Sequence, residues 1–125
     1  MTDAIDGLAG VLLWTSPARF HAMRDFYVDT LGLTPRSDRH HLVNFEWGGQ
    51  RLTVSIHHGI EDGPARDPLR LMINLAVSDI HAAHMRLEAA GVAFTRPPEQ
   101  EPWGGWIATF HDPDGNTVQL LQPAP

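Results

Sequence analysis

The sequence predicts an α+β fold made of two tandem βαβββ modules, with helices on the outer face of a cupped mixed sheet. Three observations predict it. A short apolar run followed by a helical stretch ending at glycine occurs twice, at Leu8–Trp14 with Gly32 and at Leu69–Val77 with Gly91. Each is followed by a pair of strand candidates joined by a turn signal. The matching points also stay in order, with separations of 59 for Leu33 and Val92, 65 for Phe45 and Phe110, and 66 for Gly49 and Gly115. A drifting offset of this kind is what a repeat shows when a loop differs in length between its copies.

In the first copy, Leu8–Trp14 has the length of a strand, and Ser16-Pro17 offers a helix cap and a proline suited to the first turn. Phe20, Met23 and Tyr27 then fall at helical spacing up to Gly32. Strands are expected over His40–Trp47 and Gln50–Ile56, joined by Gly48-Gly49, a two-residue hairpin signal. In the second copy, Ser78-Asp79 caps a helix whose buried stripe is Ile80, Ala83, Leu87 and Ala90. Val92–Thr95 begins a strand that Pro97-Pro98 is expected to stop. Trp106–Phe110 and Thr117–Gln122 complete the unit around the turn Asp112-Pro113-Asp114-Gly115-Asn116. One domain of 1–125 is expected, with module one at 7–58, a Gly, Pro and charge-rich linker at 59–68 and module two at 69–123.

Composition narrows the function. The chain has 125 residues, large enough for a real core, with 42% hydrophobic and 19% charged residues. Nine Lys and Arg against fifteen Asp and Glu give a net charge of −6, which argues against nucleic acid and anionic membranes, since both need clustered cations. The absence of cysteine removes disulfides, thiolate metal sites and thiol nucleophiles. Leu8–Trp14 is too short to span a bilayer, and Met1-Thr2-Asp3-Ala4-Ile5-Asp6 supplies no basic flank for a leader, so a cytoplasmic protein is expected.

Three stretches together resemble the vicinal oxygen chelate superfamily, which includes glyoxalase I, bleomycin-resistance and extradiol-dioxygenase proteins. They are Phe26-Tyr27-Val28-Asp29-Thr30-Leu31-Gly32-Leu33, then Val77-Ser78-Asp79-Ile80 with Leu87–Val92, then Pro102-Trp103-Gly104-Gly105 with Phe110–Asn116. The resemblance covers nearly the whole chain and speaks to fold, because this fold hosts many chemistries. It implies that metal-using members draw ligands from the first and last strand of each module. Those four places fall here on Leu12, Thr53, Met72 and Gln119. A divalent ion seeks imidazole and carboxylate, which these do not supply. A one-residue slip lands on Val11, Leu13, Leu52, Val54, Leu71, Ile73, Val118 or Leu120 and supplies none either. No metal and no cofactor is therefore expected.

Period-two alternation puts Leu12 and Trp14 on one face, with Met72 and Asn74, Thr53, Ser55 and His57, and Thr117, Gln119 and Leu121. Such a face is apolar with a few uncharged polar groups, the make-up of a small-molecule pocket. Ligand-binding candidates are thus Trp14, Thr53, Ser55, Met72, Asn74, Trp103, Trp106 and Gln119, the indoles of Trp103 and Trp106 flanking Gly104-Gly105 as stacking surfaces. His57 and Glu46 are the candidates for a lone catalytic base, without a second group to hold either one. His81, His84 and Glu88 have chelating spacing but read as the solvated side of a helix, and His40-His41 and His111 flank turns. Glu61, Asp62, Glu99 and Glu101 are loop acids, solvated or facing a cationic ligand.

The sequence thus favours metal-independent binding of a small apolar or aromatic molecule, with bleomycin-resistance-like homodimers as the model the resemblance implies. A metal-dependent glyoxalase, lyase or dioxygenase using a non-standard site stays open, as does a metal-free isomerase or lyase. So does a regulatory dimer without a working pocket.

Overall fold

The structure, a computed structural model, describes residues 5–125, so the leader reading at residues 1–4 lies outside the described residues. The chain forms two compact units, one up to Asp62 and one from Gly63.

In the first unit, β1 (Gly10–Thr15) pairs in parallel with β4 (Gln50–Ile56), which pairs antiparallel with β3 (Leu42–Trp47), which pairs antiparallel with β2 (Ser37–Arg39). The helical segment between β1 and β2 covers one face. It consists of α1 (Phe20–Asp25) and a π-helical turn over Phe26–Thr30, in which the Leu31 N–H donates to the Phe26 carbonyl at 2.8 Å. Phe20, Met23 and Tyr27 are buried with Val43, Phe45, Leu52 and Val54, and the Tyr27 and Phe45 rings lie 6.4 Å apart. Each such side chain contributes roughly 1.5–3 kcal/mol by leaving water.

Two expectations change in this unit, and one strand finds its place. The helix begins at Phe20, not at Pro17, because the Ser16 hydroxyl donates to Asp62 at 2.8 Å instead of capping it. The third strand after the helix, which the βαβββ unit requires and the turn signals do not place, is β2, ahead of the other two. It is held by the Ser37 N–H donating to the buried Asn44 Oδ1 at 3.1 Å. The strand expected from His40 starts at Leu42, since His40-His41 form the turn between β2 and β3. The Gly48-Gly49 turn is as expected, with φ of +56° and +85°, the left-handed pair that a tight hairpin requires.

In the second unit, β5 (Met72–Ala76) pairs in parallel with β8 (Thr117–Gln122), followed by antiparallel β7 (Trp106–His111) and β6 (Phe94–Gln100). The helix α2 (Ile80–Ala89) is capped by Asp79, whose carboxylate accepts from the Ala82 N–H at 3.0 Å. The Ile80 N–H, another donor of the first turn, goes to Gln122 Oε1 at 2.8 Å, which ties helix to sheet.

Two further corrections concern this unit. Pro97-Pro98 do not stop the strand. β6 runs through them to Gln100 as the edge of its sheet, with register shifts between Phe94 and Arg96 and between Arg96 and Glu99. An edge strand has a free side on which prolines lose no ladder bond. The buried stripe of α2 also turns through Ile80, Ala83, His84 and Leu87, leaving Ala90 exposed. His84 is therefore not on the solvated side. Its ring stands edge-on to Phe94 at 4.6 Å, and Nε2 is buried 3.5 Å from Glu88, too far for a good hydrogen bond. His81 packs edge-on against Trp106 at 4.8 Å.

Candidate functional site

Each sheet has one face under its helix and an open face that no helix covers, on which some side chains are exposed and others buried, and register assigns them. On the first sheet the open face has three rows across β1, β4 and β3. They are Gly10, Arg51 and Glu46, then Leu12, Thr53 and Asn44, then Trp14, Ser55 and Leu42. Leu12 and Trp14 are 45% and 47% exposed, large apolar groups left in solvent. Thr53 is half-buried beside Leu12. The Ser55 hydroxyl is buried and donates to the His41 carbonyl at 3.3 Å, so it serves the β2–β3 turn.

Neither catalytic candidate has the surroundings of a base. Glu46 accepts from Arg51 at 2.8 Å and lies 3.6 Å from Arg36, and these cations hold its carboxyl below the usual carboxylate range. A carboxylate so stabilised abstracts protons poorly at neutral pH. His57 stands edge-on to Trp14 at 4.8 Å and stacks on His58, and its Nδ1 accepts from the Gly59 N–H at 3.0 Å. The neutral ring then carries its proton on Nε2, leaving no free lone pair, and among the described residues no carboxylate orients it.

On the second sheet the rows across β5, β8 and β7 are Met72, Thr117 and His111, then Asn74, Gln119 and Thr109, then Ala76, Leu121 and Ile107. The Gln119 amide, only 9% exposed, donates from Nε2 to Asn74 Oδ1 at 2.9 Å. The Thr117 hydroxyl donates to the Pro68 carbonyl, and Met72 is 43% exposed. At the far edge Arg96, which pairs with Thr109, is engaged by Glu99 at 3.2 Å and Glu101 at 2.6 Å, and both raise its basicity. Those two acids are thus committed to an ion pair instead of standing free in a loop, and Asp62 is committed to Ser16.

The tryptophans near Gly104-Gly105 part company. Trp106 shares the helix-side face with Ala108 and Phe110 and meets His81. It lines a depression of about 540 Å³ together with Val77, Ser78, Gln100, Gln122 and Pro123. Trp103 is 55% exposed and lies across Gly105, where a Cβ would fall 1.8 Å from the indole. Only glycine leaves room for that ring.

The four positions that the resemblance marks as ligand places carry an alkyl chain, a hydroxyl, a thioether and an amide already bonded to Asn74. Leu12 faces Thr53 across the β1–β4 ladder, and Met72 faces Thr117, one step from Gln119 on the same face. This donor set does not fit a divalent ion of the hard or borderline kind. Among the described residues no three His, Cys, Asp or Glu side chains are grouped to hold one.

Two polar residues in the central rows of these faces escaped the sequence reading, Thr109 and Asn44. Thr109 was within reach of it. Counting back through the Asp112–Asn116 turn from Thr117 sets His111 opposite Thr117 and Thr109 opposite Gln119. Asn44 was equally within reach, since counting back through Gly48-Gly49 sets it opposite Thr53, although its bond to the backbone of β2 depends on a strand that the pattern does not place.

Each unit is thus a four-stranded mixed sheet with a helix on one side and uncharged polar groups at the centre of the other. A family model described as Glyoxalase/Bleomycin resistance protein/Dioxygenase superfamily matches residues 17–120, and the chain belongs to that superfamily. Among solved structures, it is similar to TnmS3, an antibiotic binding protein from Streptomyces sp. CB03234, with 27% identity, 98% of this chain and 100% of that chain covered, and a TM-score of 0.74. A member of the same superfamily from Sphaerobacter thermophilus DSM 20745 is 28% identical over 95% of this chain and 98% of that chain, with a TM-score of 0.70. The likeness to lactoylglutathione lyase from Agrobacterium tumefaciens, 20% identical over 94% of each chain with a TM-score of 0.71, shows the fold alone. No curated protein sequence matches the chain. Among the described residues no helix is long and apolar enough to cross a membrane.

Proposed function

We propose that this protein binds a small apolar or aromatic molecule against the open face of a sheet, without a metal. The observation that carries this is the chemistry at Leu12, Thr53, Met72 and Gln119, where exposed apolar groups and uncharged hydrogen-bonding groups stand in place of imidazoles and carboxylates. Apolar area supplies the affinity and a few polar groups the orientation. The similarity to an antibiotic binding protein at 27% identity supports binding over turnover. So does the engagement of Glu46 by two arginines and of His57 by a backbone N–H. We propose a homodimer in the cytoplasm as the working form, to be checked by light scattering and by fractionation of cells.

Titration with naphthalene, read by quenching of the exposed Trp14 and Trp103, tests this function. Saturable binding unchanged by a chelator is the expected result. A stoichiometric transition metal in purified protein whose removal abolishes binding would overturn it, as would flat fluorescence to the solubility limit.

A further inference from the structure

We propose that the Asn74–Gln119 pair reads a neutral ligand group bearing a hydrogen-bond donor and an acceptor side by side, as on the edge of a lactam, a primary carboxamide or an imide. This deepens the binding function proposed above and rests on it. Asparagine and glutamine each bring one carbonyl and one NH2. The single bond between them, Gln119 Nε2 to Asn74 Oδ1 at 2.9 Å, leaves Gln119 Oε1 and Asn74 Nδ2 without a hydrogen bond among the described residues. Exchanging the nitrogen and oxygen of both amides changes which residue offers which, yet still leaves one donor and one acceptor. The complementarity is therefore a property of the pair and does not depend on its orientation.

The surroundings define the rest of the ligand. Asn74 and Gln119 are direct partners on adjacent parallel strands, so the bonded pair presents its two free groups from one place in its row. Thr109, opposite Gln119, places a further hydroxyl-bearing residue in the row. One neighbouring row is Ala76, Leu121 and Ile107, an apolar floor for a ring, and Met72 flanks the other side. Charge on this face is already neutralised, since Arg96 is engaged by both Glu99 and Glu101. His111, a row away, is the remaining titratable group of the three rows. A carboxylate ligand finds no free arginine or lysine here, whereas a neutral amide edge finds both of its partners. A ring of equal shape without the N–H leaves a desolvated carbonyl unpaired, and that unpaired group is the source of discrimination.

The test uses three planar bicyclic probes on the intact protein: 2-quinolone, which carries the lactam edge, coumarin, which replaces its N–H by oxygen at nearly the same size, and naphthalene, which has neither group. We expect 2-quinolone to bind roughly tenfold more tightly than coumarin, the value of about one well-placed hydrogen bond. Removing the amide that accepts from the N–H, by Gln119→Met as the pair is bonded here, should bring that ratio close to one, whereas removing the donor, by Asn74→Leu, should weaken both probes alike, since both carry the carbonyl. In wild-type protein, the side-chain amide resonances of Asn74 and Gln119 should shift with 2-quinolone and stay in place with naphthalene. This readout serves even when a variant does not fold. Equal binding of 2-quinolone and coumarin, a ratio that survives both substitutions, or 2-quinolone binding without those shifts overturns the inference. If naphthalene binds while the ratio is one, the inference falls and the general binding function stands. If none of the three binds, both fall.

Discussion

The open faces of the two sheets descend from one topology and differ in how their polar groups are spent. On the first, Glu46 is held between Arg51 and Arg36, Asn44 serves the backbone of β2, and Ser55 serves the turn at His41, while Leu12 and Trp14 stand bare. On the second, the central row keeps a donor and an acceptor in reserve between apolar neighbours. The difference teaches that strand order fixes where side chains gather, whereas satisfaction of each polar group decides what is left to meet a ligand.

The comparison holds best in the cores, where the largest effects are expected. Phe45 and Phe110 are both buried at matching places, so Phe45→Ala and Phe110→Ala should each cost about 3–5 kcal/mol in denaturant unfolding. A clear inequality between them would show that the modules do not share the load. The hairpins come next. Asp112 accepts from the Asp114 and Asn116 N–H groups and from the Asn116 amide, and Asp112→Ala should cost about 2–3 kcal/mol. Its counterpart turn depends on backbone freedom alone, so Gly49→Ala, at φ of +85°, should cost only about 1–2 kcal/mol by the same measurement. Reversal of that order would mean that the side-chain bonds of the second turn add little.

The smallest effect is electrostatic and confined to the first module. Arg24 binds Asp38 at 2.6 Å, and Arg51 binds Glu46 at 2.8 Å, and both carboxyls titrate below their ordinary range. A lowered folded-state pKa means that this stabilisation is present above the unfolded carboxylate range and is lost as pH falls through the folded values. Wild type should therefore exceed an Asp38→Asn, Glu46→Gln double variant modestly in urea midpoint at neutral pH and low salt. The gap should close on acidification and in high salt. A gap that widens in acid would reverse the assignment.

Most of the fold was legible in the sequence because glycines, hairpin signals and apolar alternation are local. Gly48-Gly49 and the Asp112–Asn116 turn announced their hairpins, and Thr117–Gln122 forms a strand over the expected span. The departures share a different cause, which is dependence on partners distant in the chain. Pro97-Pro98 break a strand only if the strand is internal, and its edge position follows from sheet order. Ser16 reads as a cap until Asp62 arrives to take its hydroxyl. His84 reads as solvated until Phe94 supplies a ring for it to lean on. The polar groups of the candidate site were nameable from alternation, but that Gln119 and Asn74 bond to each other, and so leave a matched remainder, depends on a register between strands 45 residues apart.

Gln122 gives the last strand a second occupation. By receiving the Ile80 N–H it acts as a latch for α2, so fraying at the chain's final ladder rung would propagate into the helix instead of stopping at the sheet. Truncations or fusions ending ahead of this residue would release both elements at once, whereas a junction beyond it keeps the latch closed.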